Sequence, residues 1–448
     1  MFPAVGFLVP GCTSCFSYMV GSCFGACASR AFSEMAKTSA RFAYCFLFLA
    51  STFLAWGLRD FSTPIMKKIP WISEHANNSH AFYGKQAVYR VSLGNFIFFG
   101  SLALVLLGVR YRSDRRDRNV HHGSWMFKAL LWFTCNVIPF FFPNSLVEGY
   151  AYLARVGSGI FLVVQMIILL DFTHTWNDTW VAMDDQRFLV GLLVVSVTSY
   201  VGSGVILGFL FYWFKPAGVG DCSFNMFVCS FTIVVCLIFT LVSLHPQAKG
   251  GSLFPSAIIS LYCVYLAYSA LASEPHDYAC NGMGHKLDLA SGSTLALGMV
   301  LTICSVVYSA LRAGSQSDVF FTSPPADGTS VSTPLVTLSD DEASDDEEDG
   351  ALPEGERAGR HTRTKAMEEF RPVAYNYSFF HMIFALASMY LAMLMTGWGS
   401  VTEAKNLIDV GWTSVWVKLV SQWATAALYL WSLIAPVFLP DRDFGFGS

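Results

Sequence analysis

The stretch Phe188–Phe214, FLVGLLVVSVTSYVGSGVILGFLFYWF, runs for 27 residues without an acid or a base. A helix of that length rises about 40 Å, more than the roughly 30 Å hydrocarbon thickness of a bilayer. It is too long and too uniformly apolar for the surface helix of a water-soluble domain, and it directs attention to the rest of the chain. Nine further charge-poor runs follow the same rule: Phe42–Leu58, Val91–Val109, Ala129–Val147, Val156–Leu170, Cys222–Ala248, Gly250–Ser273, Leu289–Leu311, Pro372–Thr402 and Leu419–Pro440. No single soluble core could hide ten such segments. The composition agrees, with 54% hydrophobic and only 13% charged residues in 448, against about 25% charged in ordinary globular domains. A cytosolic enzyme, a disordered scaffold and a nucleic-acid binder are excluded. The expected fold is all-α and polytopic, with ten transmembrane helices.

The run Val156–Leu170 is short, flanked by Arg155 and Asp171, but helical composition continues on both sides from about Leu146 to about Trp176. It reads as one long tilted helix whose charges face protein rather than lipid. With the first span running from inside to outside, inner segments hold 17 of the 28 Lys and Arg and outer loops seven. That bias predicts cytoplasmic N- and C-terminal segments. The sequon at Asn77 then falls in an outer loop, open to glycosylation, whereas those at Asn177 and Asn376 fall inside. Cys222 and Cys280 both reach the outer, oxidising side, which predicts a disulfide between them. Six of the twelve cysteines sit within apolar runs as small hydrophobes.

Residues 1–40 form a Cys-rich segment carrying Cys12, Cys15, Cys23 and Cys27. An eleventh span, a zinc site and an interfacial segment with acylated thiols are the alternatives; the ligand spacing is loose for zinc and no histidine accompanies it. Acylation is the favoured reading. Residues 41–311 contain spans one to eight. The segment 312–371 contains ten acids and no base between Ser339 and Glu356; it reads as a disordered cytoplasmic loop with candidate phosphorylation sites at Ser339 and Ser344. Residues 372–440 hold the last two spans, and 441–448 a cytoplasmic tail.

Ionisable residues in or beside spans are costly and mark candidate functional positions. These are Arg90, Arg155, Asp171, His174, His381 and Lys418. In the fifth run, Ser196, Ser199 and Ser203 recur at i, i+3 and i+7 and share one helix face, while Gly204 and Gly208 form a small-xxx-small packing motif. A row of hydroxyls beside the long fourth helix predicts a polar seam along which a lipid headgroup exchanges water for hydroxyl hydrogen bonds. No metal-ligand set, nucleophile elbow or phosphate-binding loop is present in the sequence, so neither a cofactor nor catalysis is expected.

Seven ordered motifs then carry a resemblance: KQAVYR (Lys85–Arg90), HGSWMFK (His122–Lys128), DFTHTWN (Asp171–Asn177), SLYCVY (Ser260–Tyr265), SALASEP (Ser269–Pro275), YNYSFFH (Tyr375–His381) and SVWVK (Ser414–Lys418). Together they resemble the serine incorporator family of eukaryotic membrane proteins. The N-terminal segment departs from the family pattern, its cysteines being dispersed rather than adjacent. The resemblance implies two helical bundles separated by a long diagonal fourth helix. It also implies a role in incorporating serine into phosphatidylserine and sphingolipids, or in moving phospholipids between leaflets. The expected partners are membrane phospholipids and sphingolipids, with serine and a second copy of the chain as further candidates, in the plasma membrane or endomembranes. Secondary transport of serine or another small solute is the alternative.

Overall fold

The computed structural model describes residues 40–73, 80–216, 218–246, 251–275, 277–282, 308, 373, 375–399 and 410–438. Five expectations fall outside these residues: the acylated cysteines, Asn77, the eighth run apart from Tyr308, the acidic loop with Ser339 and Ser344, and the tail 441–448. The described residues are helical and contain no β-strand. Nine helices organise them: α1 Ala40–Phe61, α2 His80–Val105, α3 Trp125–Val137, α4 Asn144–Ala182, α5 Gln186–Trp213, α6 Ser223–Ser243, α7 Leu253–Ala272, α8 Tyr377–Met395 and α9 Trp412–Phe438.

Seven of them (α1, α2, α4, α5, α6, α7 and α8) are long and apolar enough to cross a membrane. The third run departs from expectation. It breaks because Pro139 and Pro143 lack the amide a continuing helix needs. A 3₁₀ turn occupies Ile138–Phe141, Pro143 takes an extended conformation, and α4 starts at Asn144. Asn144–Val147 therefore belong to α4. The long helix is longer than expected, at 39 residues, or about 58 Å. The tenth run is helical over 27 residues. One face of α9 is polar from Ser414 to Tyr429, which lowers its apolarity.

The chain divides into two compact units. The larger comprises residues 44–100, 129–310 and 382–448. Within it α7 is the hub, packing against α4, α5, α6 and α9. Small residues at Ala257, Ser260, Ala267 and Ala270, all fully buried, let neighbouring backbones approach, which is how helices associate where lipid removes the hydrophobic drive. α5 buries only a narrow stripe, Leu192, Ser196, Ser199, Ser203, Leu207 and Leu210; its remaining face carries exposed Val and Leu side chains suited to lipid. Elsewhere in this unit Phe99 stacks on Phe384 at 5.1 Å, and Phe48 meets the pair edge-on and tilted, at 6.2 and 4.9 Å.

The smaller unit comprises residues 1–43, 101–128 and 311–381. A π-helical turn, Asp117–His122, leads into α3. It seats His121, fully buried, with Nε2 2.7 Å from the Tyr375 hydroxyl, Nδ1 3.4 Å from His381 Nε2 and its ring stacked 3.8 Å from Tyr377. Burial first, then the neighbouring His381, His122, Lys128 and Arg41, pushes the His121 imidazole well below its ordinary range, so it is neutral at physiological pH.

Candidate functional site: a polar spine through the larger unit

Read along α9, polar residues recur at Ser414, Lys418, Ser421, Gln422, Thr425 and Tyr429. The spacing of three or four keeps them on one helix face, and they cover about 22 Å of rise. All are buried except Lys418, which is half-buried. α7 runs alongside with Ser256 and Ser260 one turn apart, and Ser273 caps its C-terminal end, all three buried. The two sets meet.

At one end the Lys418 ammonium donates to Ser273 Oγ at 2.6 Å and to the Ser269 carbonyl at 3.2 Å. Four residues on, Gln422 Nε2 donates to Thr232 Oγ1 of α6 at 2.8 Å and to the Cys263 carbonyl at 3.1 Å. Two turns further, the Tyr429 hydroxyl lies 2.8 Å from Ser256 Oγ. Tyr200 of α5 joins from the side through Thr240 Oγ1 at 3.0 Å. At the far end Ser252 Oγ donates to Asn177 Oδ1 of α4 at 2.8 Å, and the His174 ring lies 6.2 Å from that of Tyr429.

Among the described residues the middle of this spine is joined by hydroxyl, thiol and amide groups alone, and the charged Lys418 enters at one end. Ser260 Oγ and Gln422 Oε1 are buried without a hydrogen-bond partner among the described residues. Burying such an atom costs about 1–3 kcal/mol when nothing answers it.

Near the Lys418 end lies a second polar group. Glu274 follows α7 and is fully buried; its Oε2 accepts from Asn225 Nδ2 at 3.3 Å. Asn225 also reaches the carbonyls of Phe214 and Cys280. The expected Cys222–Cys280 disulfide is present beside it. Glu274 Oε1 and Asn225 Oδ1 both lack a partner among the described residues. Burial raises the Glu274 carboxyl to about 8, opposed by the hydrogen bond from Asn225. A raised folded-state value means that the folded protein holds the proton more tightly than the unfolded chain. Its stabilising effect is complete below about 4.5, declines as pH rises and is gone above about 8. Glu274→Gln is expected to flatten that decline and to raise stability at pH 8.5 by on the order of 2 kcal/mol. Thermal midpoints in detergent between pH 5 and pH 8.5 check this; a parental slope that survives in the variant refutes it.

The sequence-selected residues are distributed unevenly over this geometry. Lys418 and His174 belong to the spine, with Asp171 one turn before His174 on α4. Ser196, Ser199 and Ser203 do share a buried face. That face is closed, however: Ser196 Oγ donates to the Leu192 carbonyl and Ser203 Oγ to that of Ser199, both at 2.7 Å. The open hydroxyl seam expected there is a packing surface against α7, and the continuous polar row lies one layer deeper. Gly204 and Gly208 do not pack as the motif suggested, since a Cβ on either would meet nothing within 4 Å among the described residues. Arg90 lies outside the spine, fully buried in α2. His381 lies in the smaller unit beside His121. Arg155 is exposed on α4. Sequence reasoning passed over Gln422, Ser256, Ser260, Tyr429 and Glu274; the i, i+4 polar row of α9 was the available signal, masked by counting only charged residues as span boundaries.

Comparison with known proteins agrees with the motifs. The family described as serine incorporator (Serinc) matches residues 12–442. A probable serine incorporator of Nematostella vectensis is 32% identical over 397 residues, 85% of each chain. Serine incorporator 3 of Bos taurus is 31% identical over 399 residues, 80% of each chain. Membrane protein TMS1 of Saccharomyces cerevisiae is 28% identical, covering 94% of this chain and 95% of its own. With apolar helices in this number and relatives along nearly its whole length, the chain is a multi-pass membrane protein and belongs to the serine incorporator family.

Proposed function

We propose that the protein is a non-catalytic lipid-handling member of its family, which lowers the barrier for a polar headgroup to cross the bilayer and so serves phospholipid exchange between leaflets or the supply of serine-containing lipids. The observation that carries this reading is the spine of α7 and α9. A phosphate or amine moved through hydrocarbon loses its water without compensation. Ser421 and Thr425 donate to carbonyls of their own helix, at 2.7 and 2.8 Å, so the replacement partners are the oxygens of Ser260 and Gln422, together with the acceptor lone pairs of the other hydroxyls. The uncharged middle matters equally, because a fixed charge there would trap a headgroup rather than pass it. Ten spans in two bundles, cytoplasmic ends and residence in the plasma membrane or endomembranes complete the reading. Phospholipids and sphingolipids are then the partners.

The experiment is fluorescent-lipid exchange in proteoliposomes. Gln422→Leu combined with Ser260→Ala removes both partnerless oxygens and is expected to slow exchange about 5- to 30-fold, the worth of one or two hydrogen bonds. Ser196→Ala, Ser199→Ala and Ser203→Ala together are expected to change it little, since those hydroxyls bond within or face their own helix packing. Exchange unchanged by the first pair overturns the reading. A second reading is favoured by the enclosure of the spine within the bundle: passage of serine or another small solute. Labelled serine uptake by the same vesicles, without lipid exchange, would establish it.

A further inference from the structure

Three cations converge where α8 ends. Arg59, at the end of α1, donates from Nε to the Met395 carbonyl at 2.9 Å. Lys85 of α2 donates to the Gly399 carbonyl at 3.0 Å. The Arg155 guanidinium of α4 sits against the same glycine, so close that a Cβ there would lie 2.7 Å from Nη2. Between them the chain makes a tight turn in which Gly397, Trp398 and Gly399 all have positive φ, of 55°, 56° and 89°. A tryptophan held there costs on the order of 1–3 kcal/mol, so surrounding contacts must fix it. Trp398 is more than nine-tenths buried, and its indole N–H finds no acceptor among the described residues.

Arg59 caps the last carbonyl of α8, a favourable use of a cation at a helix C-terminus, and Lys85 is engaged by the Gly399 carbonyl of the turn that follows. Arg59 also pairs with Asp60 at 3.1 Å. Arg155 is different. Its side chain is exposed, it makes no ion pair among the described residues, and its guanidinium lies 5.0 Å from the Tyr152 ring. Glu148, two turns earlier on α4, is the carboxylate whose field reaches Lys85, together with that of Arg155. Beside Arg155 an apolar strip begins: Tyr152, Val156, Ile160 and Val163 are 45–68% exposed and recur every three or four residues on one face. From Val156 to Val163 the helix rises about 10 Å, most of the roughly 15 Å of hydrocarbon in one leaflet.

The geometry points to a binding site for one anionic phospholipid, its phosphate held by Arg155 with Lys85 behind it and an acyl chain laid along Val156, Ile160 and Val163. A guanidinium presents paired N–H donors that match phosphate oxygens, and the strip that continues from it suits a hydrocarbon tail and not a soluble anion. The site concerns retention and not passage. It stands or falls independently of the spine, since a protein that exchanges no lipid can still hold one.

Native mass spectrometry of the full chain released from detergent tests it with three probes: phosphatidylglycerol, diacylglycerol and inorganic phosphate. The parent protein is expected to retain phosphatidylglycerol and neither of the others. Arg155→Gln alters an exposed side chain and is expected to weaken retention about 5- to 10-fold, the loss of one charge-assisted contact. Val156→Asn with Ile160→Asn, which leaves both cations in place, is expected to weaken it similarly. Thermal midpoints within a degree or two of the parent confirm that the variants are folded. Undiminished retention by Arg155→Gln overturns the site, as does equal retention of diacylglycerol. Inorganic phosphate binding as tightly as the lipid overturns the lipid occupant.

Discussion

Arg90→Leu is expected to destabilise the protein by about 3–5 kcal/mol, enough to remove most folded material from detergent extracts. The arginine is wholly buried in α2, and the sequence gives no sign of what surrounds it. Its guanidinium is met by neutral acceptors alone among the described residues: the Gln86 side chain, the Gln86 carbonyl at 3.1 Å, the Phe142 carbonyl at 3.2 Å and Asn144 Oδ1 at 2.8 Å. Asn144 in turn donates to the Ile72 carbonyl at 3.1 Å. One side chain thus ties α2 to the beginning of α4 and to the short turn at Pro70–Ser73. Leucine is shorter than arginine and leaves these acceptors buried without donors, which costs more than the bonds themselves. Arg90→Lys keeps the charge but cannot span the same fork of acceptors, so it is expected to fall between the two. Fluorescence-detected size-exclusion chromatography after graded heating orders the three proteins. Equal midpoints for parent and Arg90→Leu would show that the cage contributes nothing.

Loss of the disulfide is expected to act on the same scale. Cys222 and Cys280 are 58 residues apart, and closing a loop of that length restrains the unfolded chain by about 4 kcal/mol. The loop contains α6 and α7, hence the hub of the larger unit, and the bridge sits against Asn225 and Glu274. Cys222→Ser with Cys280→Ser should therefore lower the thermal midpoint and weaken the corner that holds Glu274 out of water. Reduction of the parent protein with a membrane-permeant thiol should reproduce the double substitution. A double variant as stable as the parent, or one that reduction still destabilises, would reject this account.

Much of the fold is legible because hydrocarbon is an exacting solvent. Runs such as Phe188–Phe214 have no alternative but to span or be buried, and the pairing expected of Cys222 and Cys280, which flank runs rather than lie deep in them, is present as a disulfide. What failed did so for local reasons. Pro139 interrupts a run whose hydropathy never falls, so a count of apolar residues passes over the break. The serines of α5 have a helical period that marks their shared face but not whether it is open or packed. The spine was obscured differently. Ser260 belongs to α7 and Gln422 and Tyr429 to α9, and nothing in the order of residues says that α7 and α9 lie together. Arg90 was legible as costly but not as caged, since two of its four acceptors come from residues 52 and 54 positions away.

The polar face of α9 also bears on biogenesis. A segment with Lys418, Gln422 and Thr425 along one side partitions into lipid less readily than α5 or α6 does, because each group enters oil without its water. The ribosome delivers α6 and α7 before α9. Thr232 and the Cys263 carbonyl are therefore already in the membrane as templates when Gln422 arrives. Insertion of this helix is thus coupled to assembly: it is admitted by its neighbours more than by the bilayer.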